Sequence, residues 1–151
     1  MLRQAFRDRL KEAMKARDSR TVSTVRLILA GLKDRDVAER GQGNPGGLFE
    51  SEIQRMLQAM IKQRRESIAL YRQGNRPDLA HQESEEIVVI ESFLPRQLDE
   101  GEIEAAAKAA IDETAATTVK DLGKVMAALR ERHGGVIDLG RAGAIVRRLL
   151  G

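Results

Sequence analysis

Apolar residues recur every three or four positions along almost the whole chain, and no segment alternates convincingly between apolar and polar residues. In residues 1–94 this pattern predicts four helices. The second is predicted to begin at a cap formed by Asp18 or Ser19, the glycine-rich residues 41–47 form a loop, and Pro77 suits the first turn of the fourth helix. The apolar faces of the four helices contain, in order, Leu2, Phe6, Leu10, Ala13 and Met14; Val22, Val25, Ile28, Leu29 and Leu32; Phe49, Ile53, Met56, Leu57, Met60, Ile61, Ile68 and Tyr71; and Leu79, Ala80, Ile87, Ile90 and Leu94.

The stretch ESFLPRQLDEGEI, residues 91–103, ends one helix and begins another. Leu94 precedes Pro95, and a residue before proline is disfavoured in the helical conformation. Asp99 suits an N-cap position, and Glu102 three residues later completes the D-x-x-E form of a capping box. The pattern leaves open whether this joint lies within one helical domain or connects two domains.

Three shorter helices are predicted after the joint. The first covers about residues 100–112, the second follows Thr118 as a cap with Asp121 completing a capping box, and the third follows Asp138. The second helix is predicted to end near the HGG stretch. The last helix directs inward the residues Leu139, Ala142, Ile145, Val146, Leu149 and Leu150. The predicted fold class is therefore all-α.

Charged residues interrupt the apolar faces of the third and fourth helices. Arg64 lies inside the first of these faces, and Glu83 and Glu86 lie within or beside the second. The connection between the helices is short, so they should run antiparallel and bring Arg64 close to the glutamates. Because a buried charge is costly without a partner, we predict an ion pair between Arg64 and Glu86 or Glu83. The alternative is that Arg64 extends to the edge of the protein.

The composition is typical of a charge-rich globular protein, with 42% hydrophobic and 32% charged residues among 151. This length suits one ordinary domain or two small ones. Cysteine is absent, which excludes disulfides and thiolate chemistry. No apolar run approaches the length of a membrane span, and no charged-then-apolar leader is present, so we expect no membrane partner and a cytoplasmic location.

The net charge of +3 is distributed unevenly along the chain. Residues 95–119 contain two basic and six acidic residues, a net charge of −4. Residues 120–151 contain seven basic and three acidic residues, a net charge of +4, and residues 1–20 have the same numbers and the same net charge. Basic segments of this kind indicate an anionic partner.

Short motifs with known chemistry are incomplete in this chain. GQGNPG, residues 41–46, matches G-x-G-x-x-G but follows a charged helix end and not the buried strand that dinucleotide binding requires. Around DLGKVM, Thr118 and Val125 occupy the positions where a phosphate-binding loop needs glycine and serine or threonine. His81 and His133 have no second histidine at ligand spacing. We therefore predict no catalytic residue, metal site or cofactor, and catalysis stays open only because active sites assemble in space.

The last helix carries the most suggestive pattern for binding. Its outward arc contains Arg141, Arg147 and Arg148, with Gly140 and Ala144 between them, and no acid. Arginine presents a forked set of donors to phosphate, and small residues allow a nucleic-acid backbone to approach closely.

Lys120 and Lys124 form a smaller basic pair on the preceding helix, although Glu131 shares that face. The alternative explanation for the arginines is that cations near a helix C-terminus interact favourably with the helix dipole and need no ligand. Aromatic residues make up only 3% of the chain, so shape and phosphate contacts should dominate any binding of nucleic acid.

Two stretches, residues 61–103 and 121–150, resemble the GatB/YqeY family. KQRRES, FLPRQL and DLGKVM occur in the order expected for that family, and the resemblance spans nearly the whole chain. Members are small stand-alone proteins similar to the C-terminal tail of the GatB subunit of the aspartyl/glutamyl-tRNA amidotransferase. The resemblance implies two all-helical parts, an N-terminal four-helix domain of residues 1–94 and a C-terminal three-helix domain of residues 95–151.

The same resemblance implies that the C-terminal domain faces tRNA. The RNA-binding role falls on Lys120, Lys124, Arg141, Arg147 and Arg148, although the GRAGAI stretch departs from the more lysine-rich helix expected of the family. Such proteins are grouped with glutamine-dependent carbon-nitrogen ligases, which use glutamine as amido-nitrogen donor. This chain has no counterpart of the ATP and metal site or of the amidase serine and lysine.

Three functions follow as hypotheses. The favoured one is a tRNA-associated accessory protein in translation that positions tRNA or another structured RNA through phosphate contacts. The alternative is a helical protein-protein adaptor for an amidotransferase or an aminoacyl-tRNA synthetase, docking through the charged third helix and its RQGNR end. A stand-alone ligase or amidase has the least support, because the sequence shows neither a nucleophile nor an ATP site.

Overall fold

The computed structural model describes residues 1–151 and contains seven α-helices and no strand, so the all-α prediction is confirmed. The chain divides into two compact units, Met1–Leu94 and Pro95–Gly151. The first unit contains α1 (Leu2–Lys15), α2 (Ser19–Gly41), α3 (Glu50–Gln73) and α4 (Pro77–Glu91). The second contains α5 (Glu100–Thr114), a 3₁₀ turn (Val119–Asp121), α6 (Leu122–His133) and α7 (Leu139–Leu150).

The helix starts follow local capping chemistry. Asp18 caps α2, because its carboxylate accepts hydrogen bonds from Thr21 N at 3.2 Å and Thr21 Oγ1 at 2.7 Å. Of the two caps predicted for this helix, the structure selects Asp18. At α5, Asp99 Oδ1 accepts from Glu102 N at 2.8 Å and Glu102 Oε1 accepts from Asp99 N at 3.2 Å, which confirms the predicted capping box.

All four helices of the first unit contribute to one hydrophobic core. In it, the rings of Phe6 and Phe93 pack edge to face, with their centroids 4.8 Å apart. Two residues differ from the predicted apolar faces. Phe49 is 73% exposed because it is the N-cap residue of α3, where its amide donates to Glu52 Oε1 at 3.0 Å. Met14, in the last turn of α1, is also exposed. Gly41, predicted in the loop, is instead the last residue of α2.

The predicted ion pair between α3 and α4 is confirmed. Arg64 Nε lies 3.0 Å from Glu86 Oε2 and 3.9 Å from Glu83 Oε2, and the Arg64 and Glu86 side chains are only 12% and 9% exposed. Arg64 Nη1 also donates to the Met60 carbonyl at 3.2 Å. Burial raises the pKa of Glu83, the carboxylate of Glu86 raises it further, and Arg64 opposes both effects.

A second buried charge joins α1, α2 and the glycine-rich loop. Asp36 accepts hydrogen bonds from the Arg3 guanidinium at 2.5 and 2.9 Å and from Leu48 N at 2.9 Å. The Arg3 guanidinium lowers the pKa of Asp36 to about 2. Gly47 has a φ of +75°, and a Cβ there would lie 2.3 Å from Asp36 Oδ1, so only glycine fits this close approach. The loop therefore closes over a buried carboxylate.

The second unit has its own core, formed by α5, α6, α7 and the residues that connect them. Its fully buried side chains include Ile103, Val125, Leu129, Ile137 and Val146. The chain after Pro95 belongs to this unit: Leu98 N donates to Val136 O at 2.8 Å, and Gln97 Nε2 donates to Gly135 O at 2.9 Å. Leu149, predicted to face inward, is instead 36% exposed, whereas Leu150 beside it is half-buried.

Candidate nucleic-acid interface

Helix α7 is held in place by its cap and its apolar side. Asp138 is the N-cap, and its Oδ1 accepts from Arg141 N at 3.1 Å. The residues buried along the helix are Ala142, Gly143, Ile145 and Val146. Because these residues occupy the side that faces the core, the opposite side of α7 is left to solvent.

The solvent side of α7, which we call the α7 arc, consists of Gly140, Arg141, Ala144, Arg147 and Arg148. All five are exposed. The arc carries three guanidinium groups, and the two small residues leave the helix surface between them low. Such a surface can bring forked donors up to successive phosphate oxygens without a bulky side chain in the way.

An acidic residue of another helix, Glu104 of α5, also lies at this surface. Arg148 Nη2 lies 3.2 Å from Glu104 Oε1 of α5, and Lys108 Nζ lies 3.6 Å from the same oxygen. The prediction that the arc contains no acid therefore holds for α7 alone. Because the Arg148 side chain is 63% exposed, this pair is weak and can exchange for a phosphate contact.

Lys120 and Lys124 lie on the 3₁₀ turn and on the first turn of α6, and both are exposed without an ion pair. Between them, the Asp121 carboxylate accepts from Thr117 N at 2.9 Å and Thr118 N at 3.2 Å. These two amides lower the pKa of Asp121, and the charge of Lys124 lowers it further. Asp121 thus caps the turn, and its charge interacts with that of Lys124 without forming a direct ion pair.

The 3₁₀ turn lies beside the carboxyl end of α7. A Cβ built at Gly151 would lie 3.8 Å from Cγ2 of Val119, the residue before Lys120. The structure therefore places Val119, the neighbour of Lys120, at the end of α7 that carries Arg147 and Arg148. Arg141 lies at the other end of the helix, so the five predicted residues extend over a surface and do not converge on one point.

Metal sites and membrane-spanning helices find little support in the structure. No group of three or more His, Cys, Asp or Glu side chains is placed to hold a metal ion. His81 Nε2 instead lies 2.9 Å from Glu85 Oε1 on the same helix. None of the helices is long and apolar enough to cross a membrane.

Three of the unpaired cations outside the predicted set lie on α1. The side chains of Arg7, Lys11 and Lys15 are exposed and make no hydrogen bond or ion pair within the protein. The sequence signal that points to them is the net charge of +4 in residues 1–20. That charge alone does not identify them, because Arg3 in the same segment is used by the buried Asp36.

The chain is similar to known proteins along nearly its whole length. A family model described as "Yqey-like protein" matches residues 3–150. The chain is 30% identical over 113 residues to "Altered inheritance of mitochondria protein 41, mitochondrial" of Lachancea thermotolerans, a match that covers 75% of this chain and 55% of that protein. It is 33% identical over 85 residues to the protein of the same name from Clavispora lusitaniae, covering 56% and 46%.

An uncharacterised protein of Schizosaccharomyces pombe is 27% identical over 94 residues, which cover 62% of this chain and 72% of that protein. The chain spans about half the length of the two yeast proteins named for mitochondrial inheritance.

Proposed function

Because the chain belongs to the YqeY-like family, we propose that it is a tRNA-associated accessory protein that positions RNA through phosphate contacts. The observation that carries the proposal is the α7 arc, an exposed strip with three arginines around two small residues. The proposed ligand is tRNA because the family resembles the tail of a tRNA amidotransferase subunit. The proposed place of action is the cytoplasm, in translation.

The proposed mechanism is positioning without bond chemistry in this chain. The guanidinium groups of Arg141, Arg147 and Arg148 donate to phosphate oxygens, and Lys120 and Lys124 extend the contact as point charges. Each phosphate contact releases condensed counterions, so the affinity must fall as salt rises. The binding energy then serves to hold the RNA in one orientation for a partner enzyme.

The test is a titration with total tRNA at about 50 mM and about 200 mM salt, using the wild type and the variant Arg141→Gln, Arg147→Gln, Arg148→Gln. We expect the wild type to bind with a steep salt dependence. The variant should bind at least tenfold more weakly at low salt, with a salt slope reduced by roughly 0.9 for each phosphate that is no longer neutralised.

A matched control removes the same number of charges elsewhere. Arg35, Lys62 and Arg72 are exposed on α2 and α3 and have no ion pair, so changing these three to Gln alters net charge equally. The control variant should bind as the wild type does. Equal binding by the control and the α7 variant would remove the α7 arc from the proposal, and the absence of any binding at low salt would remove the RNA.

The second candidate function, a protein adaptor, has one observation in its favour. Leu70, near the carboxyl end of α3 and next to the RQGNR stretch, is 67% exposed. An exposed leucine beside charged residues suits an interface with an apolar core and a polar rim. An amidotransferase or an aminoacyl-tRNA synthetase is the proposed partner. Binding to such an enzyme that persists in the α7 variant and is lost on Leu70→Glu would favour this function.

A further inference from the structure

Three cations form a straight row on α1. Arg7, Lys11 and Lys15 follow one another at four-residue spacing, and all three are exposed. Residues four apart lie on one helix face, about 6 Å apart along the helix axis. None of the three side chains makes a hydrogen bond or an ion pair within the protein. We call these three residues the α1 row.

Several other charged side chains in residues 1–20 already have partners within the protein. Arg3 donates to Asp36, Arg9 lies 3.5 Å from Glu12, and Arg20 lies 3.7 Å from Glu85. Of the two acids on α1, Glu12 is the partner of Arg9, and Asp8 accepts a hydrogen bond from Gln4 at 2.8 Å. The α1 row and Arg17 are therefore the basic residues of this segment whose side chains have no partner.

An open cleft of about 410 Å³ lies where α1 ends and α2 begins. The residues that line it are Met14, Arg17, Ser19, Val22, Ser23 and Arg26. Arg17 and Arg26 have no partner within the protein, and Met14 and Val22 supply an apolar wall. The nearest acid along the chain, Asp18, does not line the cleft and is occupied by the Thr21 amide and hydroxyl.

We infer that the α1 row and this cleft form a second RNA-binding surface, in the first unit of the protein. The row contacts consecutive phosphates, and the cleft takes one unstacked nucleotide, with its base against Met14 and Val22 and its phosphate on Arg17 and Arg26. The inference rests on the proposed function for the nature of the ligand, but its location is independent of the α7 arc.

The geometry favours a nucleic-acid strand over an anionic membrane. A row of single cations at a regular rise of about 6 Å matches an extended chain of phosphates. The cleft at its end is large enough for a small ligand and has the apolar wall and cations that a nucleotide needs. An anionic membrane is a poor fit, because the apolar face of α1, with Leu2 and Phe6, is buried in the core and cannot insert.

The experiment compares three variants of the full chain by the same titration. One changes Arg7, Lys11 and Lys15 to Gln, the second changes Arg17 and Arg26 to Gln, and the third is the control with Arg35, Lys62 and Arg72 changed to Gln. The probes are total tRNA, a single-stranded oligoadenylate, polyglutamate and phosphatidylserine vesicles. Unchanged Tyr71 fluorescence would show that the first unit stays folded.

We expect the α1-row variant to bind both RNAs at least fivefold more weakly, with a salt slope lower by roughly 0.9 for each phosphate left without its cation. The cleft variant should lose more affinity for oligoadenylate than for tRNA. Polyglutamate and vesicles should bind weakly and should not distinguish the variants.

Two outcomes would overturn the inference: the α1-row variant binding RNA as the control does, or polyglutamate or vesicles depending on the α1 row as strongly as RNA does. If the α7 variant loses binding and the α1-row variant does not, the proposed function stands and this inference fails. If only the α1-row variant loses binding, the α7 arc fails and this inference stands.

Discussion

Two buried charges show when the partner of a residue can be predicted from the sequence and when it cannot. Arg64 was predictable because it interrupts an apolar face and because Glu83 and Glu86 lie across a short connection. Asp36 was not predictable, because it stands in the charged stretch DRDVAER, where it resembles any solvated acid. Its partner Arg3 lies 33 positions away, and only the packing of α1 against α2 brings the two together.

We predict that Glu83→Gln stabilises the first unit at neutral pH by about 0.5–1 kcal/mol. The pKa of Glu83 is raised by burial and by Glu86. A carboxyl with a raised folded-state pKa favours folding below its unfolded value of 4.5, and this contribution is lost as pH rises through the folded-state pKa. Urea unfolding from pH 4.5 to about pH 8, followed by Tyr71 fluorescence, measures the effect, since Tyr71 is the only tyrosine and tryptophan is absent.

The matched control is Glu86→Gln, which weakens the 3.0 Å contact to Arg64. It should destabilise the first unit by about 1–3 kcal/mol, because a buried guanidinium loses its nearest carboxylate. A Glu83→Gln variant that is less stable than the wild type throughout the pH range would contradict the prediction, because the charged Glu83 carboxylate would then stabilise the first unit.

At the level of the helices, capping residues and face periodicity are local, and both were visible in the sequence. The Asp99 and Glu102 box at α5 forms as predicted, because its two hydrogen bonds need only residues three positions apart. The exposed side of α7 likewise follows from its period. The residues of other helices that contact this exposed side do not follow from the period of α7. Glu104 of α5 pairs with Arg148, and no property of the α7 sequence predicts that contact.

We predict that Asp99→Ala destabilises the second unit by about 1 kcal/mol, because Glu102 N loses its acceptor at the start of α5. Asp99→Asn keeps a capping oxygen and should cost only a few tenths of that amount. Hydrogen exchange of the α5 amides measures both variants. An Asn variant as destabilised as the Ala variant would show that the charge at Asp99 matters and the cap does not.

Across the whole molecule, the chain builds two separate hydrophobic cores, one in Met1–Leu94 and one in Pro95–Gly151. The charge distribution does not follow this division, since the acidic residues 95–119 and the basic residues 120–151 both belong to the second unit. Residues 1–94 carry the net charge of +3, whereas residues 95–151 sum to zero because their acidic and basic segments cancel. Each of the two proposed RNA surfaces belongs to a different unit.

We predict that Leu129→Ala destabilises the second unit and leaves the first unchanged. Leu129 is 1% exposed in the core of the second unit, so its truncation should cost about 2–5 kcal/mol there. Hydrogen exchange should become faster in α5, α6 and α7 and stay constant in α3 and α4. Equal acceleration in all five helices would show that the chain unfolds as a single cooperative unit.

Periodicity and local chemistry were enough to predict the all-α class, the approximate helix bounds, most of the buried faces, the α5 capping box and the Arg64 pair, because these depend on residues close along the chain or across a short connection. Which cations are free depends on the packing of the helices. Arg3, Arg20 and Arg148 are engaged by acids on other helices, whereas Arg7, Lys11 and Lys15 are not. Ion pairing requires distances of a few ångströms between elements, and neither composition nor period contains those distances.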